Sequence, residues 1–460
     1  MLTGGSDSEM RDNGEGHGFA ASFALTLGSA LLWGFAHLWV GRNKVGLALM
    51  ALFLGLNAVV LTVITVFRSN LLTLIVQPRW LIVLMVALIV IALIWIAVIV
   101  RSYQLVRPPA RKWFARGSAV VLTAVLCLAV LAPLAYGAHL AYVSRDLVTS
   151  LFNPGVPVGS TADPWEGTER VNLLLIGADS APSRYGVRTD SITVASIDPH
   201  NGHTVLFGLP RNLQNVPMPP GPAREWFPFG FTGEGTHTPG LLNEVYQYAE
   251  DHPDMVPGVP NGKRGPTLLK STVAGILGLT VDYYAMIDMK GFARIIDAMG
   301  GVTVTIKEQI IYGRHNEGLI ATGTRRLSGE QALWYGRSRT YSDDYVRMGR
   351  QKCLINAMVR QADPLTVLRS FDELARAAKG AISTDLPQEF LPGLVDLAQR
   401  VKEAKIKSLQ FVPPLINTGE PDYYLIKDKV AVALTDRGVR RSPGTAADPH
   451  DPVPLDAICR

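Results

Sequence analysis

The stretch VNLLLIGADSAPSRYGVRTDSITVASIDPHNGHTVLFGLPRN, residues 171–212, decides the fold class. Val171–Ile176 is a short, continuous apolar run and reads as a buried strand. Ser191–Ile197 and Thr204–Phe207 read as two more, rich in Val, Ile and Thr. DPHNG, around Asp198–Gly202, is a turn joining them. Polar and charged residues follow each strand, so this stretch places chemistry at strand ends.

Downstream, strand and helix patterns alternate. Leu241–Glu250 reads as helical. Pro266–Leu277 starts with the proline that first turns favour and stops near Gly278. Tyr284–Ile287 and Val302–Ile306 read as strands flanking a helix at Gly291–Met299. Ser328 and Gln331 make a capping box ahead of Ala332–Tyr335. Asp344–Gln361, Leu365–Lys379 and Gln388–Lys405 read as helices, followed by a strand at Ser408–Val412 and a helix at Asp422–Leu434. The expectation is one α/β domain over 170–436, an αβα sandwich with a mixed sheet flanked by helices. A polar tail, 437–460, follows it.

Upstream, four stretches are long enough for the roughly 20 apolar residues a bilayer span needs. They are Phe19–Val40, Val45–Phe67, Trp80–Val100 and Ser118–Val143, and none holds Asp, Glu, Lys or Arg. The expectation is an anchor of about four transmembrane helices over 19–143, after a tail at 1–18. The acidic start (Asp7, Glu9, Asp12, Glu15) fits a cleaved signal peptide poorly. Arg101, Arg107, Arg111, Lys112 and Arg116 load the third loop with positive charge and place it in the cytoplasm. Alternation then puts everything after Ser144 outside. The link Gly41–Lys44 is very short. If the first stretch does not cross, the N-terminus moves inside and the large domain stays outside. His37, Asn57 and His139 are scattered and neutral, which disfavours a transport path through the spans. Ser144–Glu169, with NPGVPVGSTADP, reads as a linker.

Charge follows the same division. Ten of the 44 Lys and Arg but only four of the 39 Asp and Glu precede Ser144. The net charge of +5 therefore belongs to the anchor, and the remainder is near neutral. This balance argues against general nucleic-acid binding, which needs a broad basic face, and leaves a local basic pocket open. Cys127 lies in an apolar stretch and reads as a packing residue. Cys353 and Cys459 are either a disulfide or two thiols. If that domain lies outside the membrane, a bridge is open to them.

No HExxH, CxxC pair, Walker loop or GxSxG is present in the chain. What stands out is arginines and carboxylates at element ends. Asp179 closes LLLIGAD. Arg188 and Asp190 open the next strand in GVRTDS, and as i and i+2 of an extended segment they are expected to point the same way. Arg211 follows the third strand in GLPRN. Arg337 and Arg339 are another such pair in YGRSRTYSDD, and Arg347 and Gln351 share a helix face. Any one Asp–Arg pair is more often a surface ion pair worth about 0–1 kcal/mol. Five arginines and two aspartates at element ends suit phosphate handling, because guanidinium forks match phosphate oxygens and two carboxylates suit magnesium.

The strings themselves carry a resemblance. NLLLIGADS, RTDSITVASID, LPRN, YYAMIDMKGFARIIDAMGGVTVTI, LSGEQALWYGRSR and DYVRMGRQ resemble the LytR-CpsA-Psr family of envelope phosphotransferases, from Val171 to Asp363. The segment with LQFVPPL looks like actinobacterial members. The resemblance implies an αβα fold with a channel for a polyprenyl tail. It implies magnesium, with manganese as a substitute, held by Asp179 and Asp190. It implies that Arg188, Arg211, Arg337, Arg339 and Arg347, with Gln351, grip the pyrophosphate of a polyprenyl-pyrophosphate glycan. The catalytic set on this reading is Asp179, Arg188, Asp190, Arg211, Arg337 and Arg339. The implied activity transfers the glycopolymer to peptidoglycan at the outer face of the cytoplasmic membrane.

Two positions depart from the family pattern. Asn212 follows Arg211 where an Asp is common, and Leu242 precedes Asn243 where a basic residue is common. The apolar segments Leu268–Leu277 and Phe292–Met299 are candidate channel walls, with core packing as the alternative. The role of Arg350 stays open. A hydrolase that cleaves the same donor with water and a non-catalytic lipid-phosphate binder or regulator are the competing readings. Retention of both aspartates counts against the binder.

Overall fold

A computed structural model describes residues 19–66, 77–106, 113–152, 164–179, 186–235, 240–313, 315–339, 343–361, 370–435 and 451–459. The chain divides into two compact units, Met1–Tyr142 and Val143–Arg460.

The first unit is helical: α1 (Phe19–Leu31), α2 (Phe35–Trp39), α3 (Asn43–Val66), α4 (Pro78–Leu105) and α5 (Trp113–Leu151), the last running past the boundary. Three helices are long and apolar enough to cross a membrane, over Asn43–Val63, Pro78–Leu105 and Val120–Leu151. The expected first span is broken. Gly34 takes φ +88°, and a Cβ there would lie 2.3 Å from the Gly46 carbonyl oxygen, so the chain turns where glycine alone fits. The 13 residues of α1 reach about 20 Å, short of a hydrocarbon core of about 30 Å. The anchor therefore has three helices of spanning length among the described residues, not four. Residues 144–151, expected as linker, continue α5. The basic loop residues Arg107, Arg111 and Lys112 and most of the tail 437–460 lie outside the described residues.

The second unit is built on β1 (Val171–Asp179), β2 (Arg188–Ile197), β3 (Thr204–Leu209), α6 (Pro222–Trp226), α7 (Val245–Asp251), α8 (Arg264–Leu277), β4 (Tyr283–Asp288) and α9 (Met289–Ala298). There follow β5 (Val302–Ile306), β6 (Ile310–Tyr312), β7 (Gly318–Ile320), β8 (Gly323–Leu327), α10 (Gly329–Arg337) and α11 (Asp344–Gln361). The rest comprises α12 (Phe371–Lys379), β9 (Ile382–Thr384), α13 (Leu391–Glu403), β10 (Ile406–Gln410), α14 (Tyr423–Thr435), β11 (Val453–Pro454) and α15 (Leu455–Ile458).

The main sheet has seven strands in the order β11-β10-β3-β2-β1-β4-β9. β1 runs antiparallel to β2 and parallel to β4, and β3 runs parallel to β10, so the sheet is mixed. Alternate side chains separate its faces. Leu174, Ile176, Ile192, Val194, Phe207 and Leu209 join the main core with α7, α8 and α14. Leu175, Ala195 and Leu206 pack the other way, with Leu455 of α15. Helices on both faces make the αβα sandwich the pattern implied. A separate cluster over α9, β5, β6, β7, β8, α10 and α11 buries Ile296, Val304, Ile320, Leu327 and Leu354. The small pairs β5–β8 and β6–β7 carry it.

Candidate functional site

β1 and β2 are longer than their apolar runs. β1 extends to Asp179 and β2 begins at Arg188, so these two residues are register partners at one sheet end. The ladder pairs Gly177 with Ser191 and Ala178 with Thr189, which leaves Asp190 as the extra residue of a bulge. A bulge breaks strand alternation and re-aims the side chain it carries. The expectation that Arg188 and Asp190 point the same way fails for this reason. Arg188 is exposed and makes no side-chain bond among the described residues, while Asp190 is buried.

Asp190 accepts from the Arg211 guanidinium, which β3 delivers just past its end. Arg211 also faces Asp344, the first residue of α11, with Nε 3.4 Å from Oδ2. Arg339 reaches the other oxygen of the same carboxylate at 3.4 Å. Arg347, one turn along α11, donates to Asp344 Oδ2 at 2.9 Å and to the Asp190 carbonyl at 3.1 Å. Three guanidinium groups therefore converge on one carboxylate. Nothing in the sequence singled out Asp344; its one signal was its place at a helix start, three residues before Arg347.

A second pair lies at the same sheet end, where Arg337 Nη2 donates to Asp179 Oδ2 at 2.8 Å. Trp334 lies against the Arg337 guanidinium, 5.8 Å from ring centroid to Cζ. Arg350 holds the connection between Arg337 and Arg339: it donates to the Ser338 carbonyl at 3.1 Å and lies over the Tyr335 ring. Gln351 donates to the Gly336 carbonyl at 3.1 Å. Asn212 donates to the Thr418 hydroxyl at 3.1 Å, so the departure from Asp ties the loop after β3 to the one after β10.

Burial costs this cluster. Arg347 is 3% exposed, and desolvation lowers its pKa while Asp344 raises it. Among the described residues, Arg347 Nε, Asn212 Oδ1 and Asn243 Oδ1 are buried without a hydrogen-bond partner, and Asp344 Oδ1 has only its ion pair with Arg339. Unsatisfied buried groups are rare in finished cores.

Beneath the cluster lies a narrow, water-sized pocket of about 10 Å³ between α11 and the ends of β2 and β3. Asp190, Arg211 and Gln351 line it with Ile192, Leu209, Met348 and Ile355, and Lys352 lines it as well. The helices expected as channel walls do not. Leu268, Leu269, Val273 and Ile276 of α8 are ordinary core, and Phe292 and Ile296 of α9 pack into the smaller cluster.

Among the described residues no three His, Cys, Asp or Glu gather as a metal cage. The residues fit a hard cation in another way. Asp179 and Asp190 are two buried carboxylates at one sheet end, and magnesium commonly takes one or two carboxylates and completes its shell with phosphate and water.

Cys353 of α11 and Cys459, just after α15, are joined as a disulfide, closing a separation of 106 residues. It ties the C-terminal segment to the helix that carries Arg347 and Gln351. Cys127 is free.

Fold and site together define a mixed α/β sandwich with arginines and aspartates gathered at strand and helix ends, preceded by helices of membrane-spanning length. The chain belongs to the LytR_cpsA_psr family, whose model matches residues 150–438. It is 27% identical over 230 residues to the polyisoprenyl-teichoic acid–peptidoglycan teichoic acid transferase TagU of Oceanobacillus iheyensis, a match covering 49% of this chain and 62% of that protein. It is 24% identical over 275 residues to the Bacillus mycoides protein of that name, covering 59% of this chain and 78% of the relative. Similar solved structures include a Streptococcus agalactiae protein (23% identity, TM-score 0.45, covering 60% of this chain and 91% of that one). Another is B. subtilis TagV (22% identity, TM-score 0.42, covering 58% and 96%).

Proposed function

We propose that this chain transfers a glycopolymer from a polyprenyl-pyrophosphate carrier to peptidoglycan, with magnesium, at the outer face of the cytoplasmic membrane. The observation that carries this is the convergence of Arg211, Arg339 and Arg347 on Asp344, beside the buried carboxylates Asp179 and Asp190 at one sheet end. Such a cluster of guanidinium groups suits a pyrophosphate. Helices of spanning length keep the chain where such a lipid resides. A disulfide suits an oxidising, external compartment. The relatives are named for teichoic acid transfer, which supports a secondary wall polymer of teichoic-acid or arabinogalactan type as cargo.

In this reading Arg211, Arg339 and Arg347 bind the pyrophosphate oxygens in place of Asp344, and Arg337 holds the sugar-side phosphate near Asp179. A peptidoglycan sugar hydroxyl attacks the sugar-linked phosphorus and forms the new P–O bond, the bridging P–O bond breaks, and polyprenyl phosphate leaves, the hydroxyl proton passing to solvent. Fixed guanidinium groups neutralise the charge that develops on phosphate oxygens, the main protein contribution to phosphoryl transfer. Magnesium held by Asp179 and Asp190 would add Lewis-acid stabilisation of that charge.

The test uses the full chain in detergent with a polyprenyl-pyrophosphate oligosaccharide, magnesium and peptidoglycan strands. Arg339 is the informative substitution, because its side chain is 53% exposed and its loss leaves the core untouched. Sugar attachment that needs both the strands and Arg339 supports transfer. Polyprenyl phosphate release without attachment establishes the hydrolase instead. Tight donor binding with no turnover of any donor overturns the catalytic reading.

A further inference from the structure

Trp334 lies three residues before Arg337 on α10, the spacing that sets two side chains on one helix face. The indole is half-buried and lies against the guanidinium, with Cζ 5.8 Å from the ring centroid.

A second ring stands beside it. Tyr312, the last residue of β6, has its centroid 6.4 Å from that of Trp334, and the two planes are inclined by 40°. The β6–β7 hairpin is built to put it there. Tyr312 is the register partner of Gly318, where an added Cβ would collide with the Tyr312 ring, so glycine at 318 lets the ring lie across the hairpin. Ser338, between Arg337 and Arg339, donates from its hydroxyl to the Ile311 carbonyl at 3.2 Å and fastens the hairpin to the arginine segment.

A tryptophan that only braced Arg337 would account for one ring. It would not account for Tyr312, which is half-buried as well, nor for a hairpin bonded to the residue between two arginines of the site. Two such rings beside a phosphate-holding arginine suit a ligand with a flat apolar face. In the proposed transfer Arg337 holds the phosphate joined to the glycan. The first sugar hangs on that phosphate through a single oxygen, so its ring lies next to whatever flanks Arg337. The face of an indole is the negative side of its quadrupole. The C–H bonds on one side of a pyranose present a weakly positive, apolar surface that matches it. We propose that Trp334 and Tyr312 form the subsite for the first sugar of the donor, with Trp334 stacked on the apolar side of the sugar ring and Tyr312 closing one edge.

This rests on the transferase reading and deepens it. The arginines recognise pyrophosphate, which every donor of this class shares, and the two rings read what is attached to it. No bond is made or broken at either ring.

The test compares two ligands by calorimetric titration of the full chain in detergent with magnesium. Farnesyl pyrophosphate carries no sugar. Farnesyl-pyrophosphoryl-glucose carries a pyranose whose equatorial hydroxyls leave its faces to C–H bonds. The natural chain should bind the sugar-bearing ligand more tightly. Trp334→Leu should weaken that ligand about tenfold, the scale of one aromatic face contact, and leave farnesyl pyrophosphate unchanged. Trp334→Phe keeps an aromatic face on the same helix and should recover most of the loss, which separates stacking from folding. Tyr312→Ala should weaken the same ligand by less. Equal losses for both ligands in Trp334→Leu would show that the indole serves Arg337 alone and overturn the proposal. So would undiminished affinity of Trp334→Leu for the sugar-bearing ligand, or equal affinity of the natural chain for the two. Each of these leaves the transferase reading standing. Failure of the natural chain to bind either ligand overturns both.

Discussion

The Asp190 carboxylate, displaced from strand alternation by a bulge, takes the Arg211 guanidinium, and through Arg211 the β2 edge is joined to Asp344 of α11. Two strand ends and a helix start are thus held by one arginine. Arg211→Lys keeps the charge but loses the planar fork that serves both aspartates. Expected is a loss of turnover of about 100-fold, near that for removing one preorganised donor. The natural circular dichroism spectrum should be retained. Single-turnover transfer at saturating donor checks it, and near-normal turnover would show that Arg211 merely braces the sheet.

On the proposed reading, the pyrophosphate takes the place of the Asp344 carboxylate among the arginines. That carboxylate stabilises Arg347, which is 3% exposed, and it also competes for three guanidinium groups. Asp344→Asn should destabilise the large unit by about 3 kcal/mol, the cost of leaving a buried charge without its partner. The same change should raise affinity for inorganic pyrophosphate. Thermal unfolding with and without pyrophosphate reads both effects. A lower midpoint should come with a larger ligand-induced rise. A rise no larger than that of the natural chain would remove Asp344 from the anion's seat.

Much of this architecture is legible in sequence because it is local. The apolar runs of β1, β2 and β3, the cap at Ser328 and the arginines placed beside strand ends follow from pattern and spacing. What escaped depends on partners distant in the chain. The bulge at Asp190 needs the β1 register. The break at Gly34 needs the backbone at Gly46. β6, β7 and β9 have three residues each, too few to show a period. Asp344 showed only as the start of a helix. Nothing in the sequence marks Lys352, and only the absence of a side chain at Gly208, 144 positions earlier, lets it enter the sheet face.

The disulfide gives a stability prediction that does not involve the site. Cys353 and Cys459 close a loop of 106 residues. A chain-entropy account assigns such a loop about 4–5 kcal/mol. Cys459→Ser should lower the unfolding midpoint of the large unit by that scale under oxidising conditions, and reductant should bring the natural chain to the same midpoint. Identical midpoints for both chains without reductant would show that α15 is held by its packing, with Leu455 2% exposed, and not by the bond.

Lys352 sets a pH dependence of stability whose sign follows from proton counting. In the folded chain its pKa is depressed from the ordinary 10.5 to about 7 by burial. Between those values the unfolded chain holds the proton and the folded chain does not. Stability therefore rises with pH across that interval, and the lysine's cost is fully present at its lower end. Lys352→Met removes the cost while keeping an apolar stem of similar length. The variant should be more stable than the natural chain near neutrality by a few kcal/mol, at about 1.4 kcal/mol per pKa unit. The difference should shrink as pH approaches 10. Denaturant unfolding of the two chains at a series of pH values measures it directly. A difference that stays constant with pH would mean that Lys352 is protonated in the folded chain, and its place beside Ser408 would then require a counter-charge that the described residues do not contain.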